Sequence, residues 1–308
     1  MKILPRIFRF FVREAYSIPT VLRCALCAVF FPKRTLILLF MGTGRGGNWG
    51  DELNFHFFRA VTDKKIIVYP NTYFARICAV KNIVSIGSIL CNIPNRNSIV
   101  WGSGIGNDIF DKQLRTRPKE ILAVRGPLTA SWLRKRGISC PDIYGDPALL
   151  LPLFYSPKRK AQKKIGVIPH LIDWNISLEL INTLNADDVR IISMKHYSNW
   201  TDVIDEIVSC DVICSASLHG LIVAEAYGVP SVWIKFSEMK PGWDFKYHDF
   251  YASIGRTVDS ATIVKNRSDL IDIFDTLKTT WEQAQFDTRP LLKAAPIQLS
   301  PRCDNPTF

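Results

Sequence analysis

His219 stands in Ser217-Leu218-His219-Gly220, directly after the apolar run DVICSA and at the start of a helical pattern. An imidazole at a strand–helix junction meets the helix N-terminal dipole and suits proton transfer near neutral pH. His170 follows the run IGVIP, and Lys195-His196 follow RIISM, so both take equivalent positions in the same half of the chain. Three basic sites at strand ends point to an anionic ligand. In the other half, a glycine-rich turn at 42–47, which contains Arg45, leads into Asn48, Trp49, Gly50 and Asp51. Such glycines let a backbone approach an anion at a helix entrance. Arg125 sits where EILAV gives way to a helix opened by Pro127, and a guanidinium there can hold a carboxylate or phosphate bidentately. His56 falls in an apolar helical stripe and reads as core.

Other chemistries lack their residues. The turn at 42–47 matches G-x-G-x-x-G, but the next strand ends Tyr69-Pro70-Asn71, without the acid a dinucleotide ribose requires. A nucleophile elbow, a Walker A loop, a D-x-D pair and an H-E-x-x-H helix are absent from the sequence. Cys24-Ala-Leu-Cys27 has no second pair to complete a zinc site, and the remaining cysteines lie mostly in apolar runs, so all read as reduced core thiols. No metal site is expected.

The elements that position these residues alternate. TLILLFM (35–41), KIIVYP (65–70), NIVSIG (82–87), SIVWG (98–102) and EILAV (120–124) are continuous apolar runs of the kind buried in parallel sheets. Helical patterns intervene, and PDIYGDPALLL reads as a further strand ending near Gly145-Asp146. Residues 152–164, with two prolines and five Lys/Arg, read as a linker. The alternation restarts with KIGVIPH (164–170), a helix from Ser177 to Leu184, VRIISM, TDVIDEIVS, DVICSA, the helix after Ser217 and PSVWIK, and it closes with a helix over 268–285. This predicts an α/β chain of two Rossmann-like doubly wound lobes across a central cleft, with ligands at the carboxyl ends of the strands. The expected units are a basic amphipathic segment (1–34), a first lobe (35–151), the linker (152–164), a second lobe (165–289) and a flexible tail (290–308).

Of 308 residues, 39 are Lys or Arg and 28 Asp or Glu, a formal net charge of +11. Seven of those cations and a single acid lie in residues 1–34, and the rest are dispersed without a nucleic-acid-binding signature. Nucleic acid is therefore not an expected partner. The longest apolar stretch in the segment, 18–31, is interrupted by Arg23 and is too short to span a bilayer. Basic residues interleaved with Ile3, Leu4, Ile7, Phe8, Phe10 and Phe11 suit a helix lying in an anionic membrane surface. The alternative is a helix packed on its own domain. A cytoplasmic protein, peripheral at the inner face of the membrane, is the expected location.

NWGDELN (48–54), WGSGIG (101–106), VRGPLTA (124–130), GDPALLLP (145–152), GVIPH (166–170) and SLHGLIVAEAYGVP (217–230), in this order, resemble the polysaccharide pyruvyltransferase family. The likeness is to the ketal pyruvate transferases of bacterial exopolysaccharide assembly, and it covers about residues 40 to 250. The resemblance implies a GT-B-like pair of lobes and transfer of pyruvate from phosphoenolpyruvate to two hydroxyls of one sugar, on a lipid-linked or free oligosaccharide. No cofactor is implied beyond phosphoenolpyruvate as the donor substrate. Asp51 matches the acid of the N-x-G-D turn, Arg125 the arginine of V-R-G-P, and His219 the histidine of the L-H pair, beside Leu218. His219 is expected as the general acid. Some branches carry an arginine where this chain has Ser217, which leaves an anion contact to Lys195, Arg45 or Lys235. A GT-B glycosyltransferase using a nucleotide sugar, with Glu225 or Glu238 on the ribose, is the competing enzyme. A non-catalytic subunit of a membrane assembly complex is the competing reading from another class.

Overall fold

Strands rich in Val, Ile and Leu on both faces must be covered on both sides, and here two parallel sheets are covered by helices. The chain is described from a computed structural model over residues 3–39, 47–109, 114–158, 163–170, 173 and 188–300. In the first lobe, β1 (Thr35–Leu39), β2 (Lys65–Tyr69), β3 (Asn82–Val84), β4 (Ser98–Trp101) and β5 (Glu120–Ala123) pair in the order β2-β1-β3-β4-β5. In the second, β6 (Lys163–Ile168), β7 (Val189–Ile191), β8 (Cys210–Ser215), β9 (Ser231–Lys235) and β10 (Thr262–Ile263) pair as β10-β9-β8-β6-β7. Read from its other edge, the second sheet has the order of the first. Each therefore reverses direction once, between β1 and β3 and between β6 and β8. The expected pair of doubly wound α/β lobes is what forms.

The helices are α1 (Ile3–Phe30), α2 (Trp49–Val61), α3 (Tyr73–Cys78), α4 (Pro127–Arg134), α5 (Trp200–Val208), α6 (Leu218–Ala226), α7 (Phe245–Ser253), α8 (Arg267–Thr280) and α9 (Arg289–Lys293). The helix expected over 177–184 lies outside the described residues.

Three segments differ from the sequence reading. PDIYGDPALLL contributes only a bridge, Val124 to Tyr144, and then turns into a 3-10 helix over Pro147–Leu153. Asp146 caps that helix by accepting the Ala148 N–H, and Pro147 starts it, a pairing that favours a helix over a strand. The last long helix stops at Thr280 instead of Gln285. Thr276, Thr279 and Thr280 all turn their hydroxyls back onto carbonyls of the same helix, which weakens its end. Residues 289–300 are not a loose tail. Leu291 is buried, its carbonyl accepts the Trp101 indole N–H, and the Ser300 N–H reaches the Val61 carbonyl. The chain thus ends its described course on the first lobe, while 301–308 lie outside the described residues.

The linker is anchored as well: Asp205 of α5 accepts the Tyr155 hydroxyl and the Lys158 N–H. Among the described residues the seven cysteines are unbonded, and burial pushes the Cys24 and Cys214 thiols up to about 12.

Between the lobes, α7 lies against the end of β5. Arg125 and Asp249 are both fully buried there, 2.9 Å apart, and Gly126 is so close to α7 that a Cβ on it would sit 2.0 Å from the Asp249 carbonyl oxygen. Removing one partner of a buried pair strands the other charge, at a cost of about 3–5 kcal/mol. Asp249→Ala should therefore lower unfolding free energy by that amount, read as a lower urea midpoint at unchanged slope.

Candidate active site

In open α/β sheets ligands settle beyond the strand ends at the point of reversal. Here both reversals face one cleft. Asn48 and Asp51 follow β1, Ser88 follows β3, His170 follows β6, and Ser217, Leu218 and His219 follow β8. Together with Pro169, Met194 and Lys246 of α7, they line one cavity. The first turn of α2 is fixed from both lobes. Asn48 caps it through the Gly50 N–H, and Trp49 donates its backbone N–H to Met194 and its indole N–H to Trp200 of the second lobe. The Tyr197 hydroxyl donates to Glu52, and His56 stacks on Trp200 at 6.0 Å, so that histidine is inter-lobe packing.

The geometry centres on His219, at the buried start of α6. Gly50 makes room for it: a Cβ there would lie 1.9 Å from Nδ1. Gly87, in the left-handed region at φ +96, lies beneath both catalytic candidates. A Cβ on it would be 3.3 Å from His219 Cε1 and 3.9 Å from Asp51 Oδ1. Among the described residues His219 Nε2 is buried without a hydrogen-bond partner, and it lies 3.9 Å from Asp146 Oδ2, beyond hydrogen-bond reach. Asp146 is itself held by the Gly87 and Ala148 N–H groups.

The electrostatics separate the acids from the imidazoles. Burial, then the Lys246 and Arg125 charges, hold His219 down at about 3, so it is neutral near pH 7. Burial and Lys246 hold His170 at about 4. Asp51 moves the opposite way: burial raises its carboxyl above the usual range, opposed by its hydrogen bond from Asn48 and by Lys246. Burial raises Asp146 to about 6. Lys246 is pulled down to about 8, first by burial and then by Arg125, yet stays cationic at neutral pH.

Of the residues singled out in the sequence, Asn48, Asp51, His170, Ser217, Leu218 and His219 meet in the cavity, and Gly50 abuts it. Arg125 is withdrawn behind it. Its Nε donates to Asp249 Oδ2 (3.0 Å), Nη2 to the Ile105 carbonyl (2.7 Å) and Nη1 to the hydroxyl of Ser88 (2.6 Å), which does line the cavity. The guanidinium thus reaches the cleft through its field and through Ser88. Lys195 is exposed and lines none of the cavity, and Arg45 lies outside the described residues. Glu225 is buried in a pair with Arg256 at 3.0 Å, and Glu238 is an exposed partner of Lys235. Lys246, Asp146, Asp249 and Ser88 were not singled out. Asp146 carried a signal, in the Gly-Asp-Pro turn. Lys246 carried none, because residues 236–244 separate α7 from the strand PSVWIK, so it does not stand at a strand end.

Because unfolded His219 titrates near 6.5 and native His219 near 3, the unfolded chain binds the extra proton between those values, and stability falls as pH drops through that window. The penalty for one such group is about 1.4 kcal/mol per pH unit. His219→Gln removes it, so the variant should gain stability relative to wild type on acidification from pH 6.5 to 4.5, measured by urea unfolding at each pH.

Residues 23–238 match the family model for polysaccharide pyruvyl transferase, a span that includes Asp51, Arg125, Asp146 and His219 and stops short of α7. The chain is 26% identical over 241 residues to Uncharacterized protein L143 of Acanthamoeba polyphaga mimivirus, covering 73% of this chain and 78% of that one. It is 29% identical over 217 residues to Succinoglycan biosynthesis protein ExoV of Rhizobium meliloti (strain 1021), covering 68% of this chain and 63% of ExoV. Among solved structures, that of an uncharacterized Klebsiella pneumoniae protein, KP1_0663, is similar at a TM-score of 0.42 and 16% identity, over 75% of this chain and 92% of that one. With the family match running through both lobes and across the cleft between them, the chain belongs to the polysaccharide pyruvyl transferase family and is a pyruvyltransferase.

Proposed function

We propose that this enzyme transfers pyruvate from phosphoenolpyruvate to two hydroxyls of one sugar in a polysaccharide repeat unit, forming a cyclic ketal. One observation carries the assignment of roles: Asp51 and His219 converge over Gly87, the carboxyl held up and the imidazole held down, in a cavity that Lys246 lines. Paired groups pushed apart in this way divide into acid and base. A ligand-free His219 without a proton suits the base, which moves the acid role expected of it in the sequence to Asp51.

The donor carries about three negative charges, and a fixed cation placed beside it stabilises the charge that shifts onto phosphate as it leaves. Lys246 would hold it, with the Arg125 field behind Ser88 adding to the attraction. Protonated Asp51 gives its proton to the methylene carbon, which makes C2 electrophilic. The first sugar hydroxyl adds to C2 as His219 takes its proton. His219 then passes that proton to the departing phosphate, and the second hydroxyl closes the ring as Asp51 recovers a proton. One hydroxyl proton ends on the new methyl group and the other on phosphate, so the enzyme returns to its starting state.

The acceptor would enter through the adjoining hollow lined by Trp243, Tyr247 and Asp173, which shares His170 and Lys246 with the catalytic cavity. An aromatic face beside carboxyl and amine groups suits a sugar ring with its hydroxyls.

The test is phosphate release from phosphoenolpyruvate in the presence of lipid-linked or free oligosaccharides. Asp51→Asn and His219→Gln should each lower kcat by about 10²–10⁴-fold, the usual share of general acid–base catalysis. Phosphoenolpyruvate should still stabilise both variants in a thermal-shift titration, because Lys246 remains. Near-wild-type turnover in either variant would remove that residue from the proton path. Stabilisation by nucleotide sugars and not by phosphoenolpyruvate would transfer the assignment to glycosyl transfer.

A further inference from the structure

Helix α1 carries two apolar faces where a surface helix carries one. The first row, Ser17, Val21, Cys24 and Ala28, is spaced by four, three and four residues and packs on the first lobe. Val21 and Cys24 join a core with Ile37, Ile67, Tyr69 and Ala75. At the same edge Glu14 accepts the Tyr73 and Phe74 N–H groups, both at 2.9 Å, and Ser17 Oγ lies 2.9 Å from Thr72 Oγ1. These bonds tie α1 to the start of α3.

The second row is Phe8, Phe11, Ala15, Ile18, Leu22, Leu26 and Val29, about a third of a turn away around the helix. Its six large side chains are 38–71% exposed, and Phe30 and Phe31 continue the exposure past the helix end. The row runs about 30 Å along the axis. Contiguous exposed apolar surface of this extent marks an interaction site. Arg23 stands exposed beside it and Lys33 and Arg34 follow its end, while Arg13 lies on the other side of the helix, paired with Glu14, the one acid of the segment, which also holds the start of α3. What α1 offers to its surroundings is therefore apolar and cationic together. No described helix is long and apolar enough to cross a membrane, and α1 is pinned along one side in any case.

We propose that α1 docks the enzyme flat on an anionic lipid surface, its second apolar row in the acyl boundary and its arginines among the headgroups. A helix with this division of residues lies in the plane of the interface. A second copy is a poorer occupant, because a two-fold contact through this face would set the same cations against one another.

Deleting α1 would uncover the core beneath it, so the test uses substitutions on the exposed row of the full chain. Wild type should co-sediment with vesicles of equal parts phosphatidylglycerol and phosphatidylcholine, and much less with phosphatidylcholine alone. Leu22→Ser/Leu26→Ser/Val29→Ser should lower the partition coefficient at least tenfold without moving the unfolding midpoint. Arg23→Gln and Arg34→Gln should each lower it about fivefold, in keeping with the contribution of one near-surface cation. Equal sedimentation of wild type and the triple variant overturns the proposal. So does a vesicle-independent dimer that the same three substitutions abolish, since the face would then belong to a second copy. Partition that is indifferent to phosphatidylglycerol overturns the anionic surface.

Discussion

A guanidinium and a carboxylate taken wholly out of water hold this enzyme's two lobes in register. Arg125 and Asp249 would each be costly alone, and the pair is tolerable because every side of it is hydrogen-bonded. Asp249 also accepts the Thr129 N–H and hydroxyl, and Arg125 is closed off by Ile105 and Ser88. A Cβ at Gly104 would sit 2.5 Å from the guanidinium carbon, so the glycine loop after β4 is shaped around this side chain. The consequence for catalysis lies one helical turn away. Lys246 is three residues before Asp249 on α7, on the same face, and anchoring Asp249 to the first lobe aims Lys246 into the cleft between the lobes.

That placement explains why the imidazole is neutral. His219 is buried, and the Lys246 and Arg125 charges act on it, so protonation is opposed by both solvation and repulsion. The same field that discharges the imidazole attracts an anion. An arriving trianion would compensate Lys246 and Arg125 and make proton uptake by His219 easier while the substrate is present. The cleft is thus charged for binding and uncharged at its base, with the two coupled through Lys246.

The strands and the reversal points are legible in the sequence because buried parallel strands read as unbroken apolar runs and the residues behind them sit where ligands bind. Asn48, Asp51, His170 and His219 are found that way. What is hidden depends on contacts distant along the chain. Arg125 reads as a cleft-facing anion ligand until its partner, 124 residues onward, draws it out of solvent. Helix α7 is hard to see because it is short and its one apolar row, Tyr247, Phe250 and Tyr251, is opposed by Asp249, a charge that reads as solvent-facing and is fully buried. The return of Leu291 to Trp101 has no local signal either, since the prolines around it suggest a loose tail.

The same burial bears on which chemistry a two-lobed cleft performs. A nucleotide sugar needs a carboxylate turned toward its ribose diol, and the sequence offers Glu225, in the helix behind His219, and Glu238, which the fold leaves exposed on Lys235 and off the catalytic cavity. Glu225 points away, fully buried against Arg256, where breaking the pair would strand a charge. Among the described residues the only acid lining the catalytic cavity is Asp51, and burial keeps its proton on to higher pH than an exposed carboxyl. A carboxyl that holds its proton more tightly than an exposed one is the poorer acceptor for a diol. Acid–base work on an anionic donor therefore fits this cavity better than ribose recognition does.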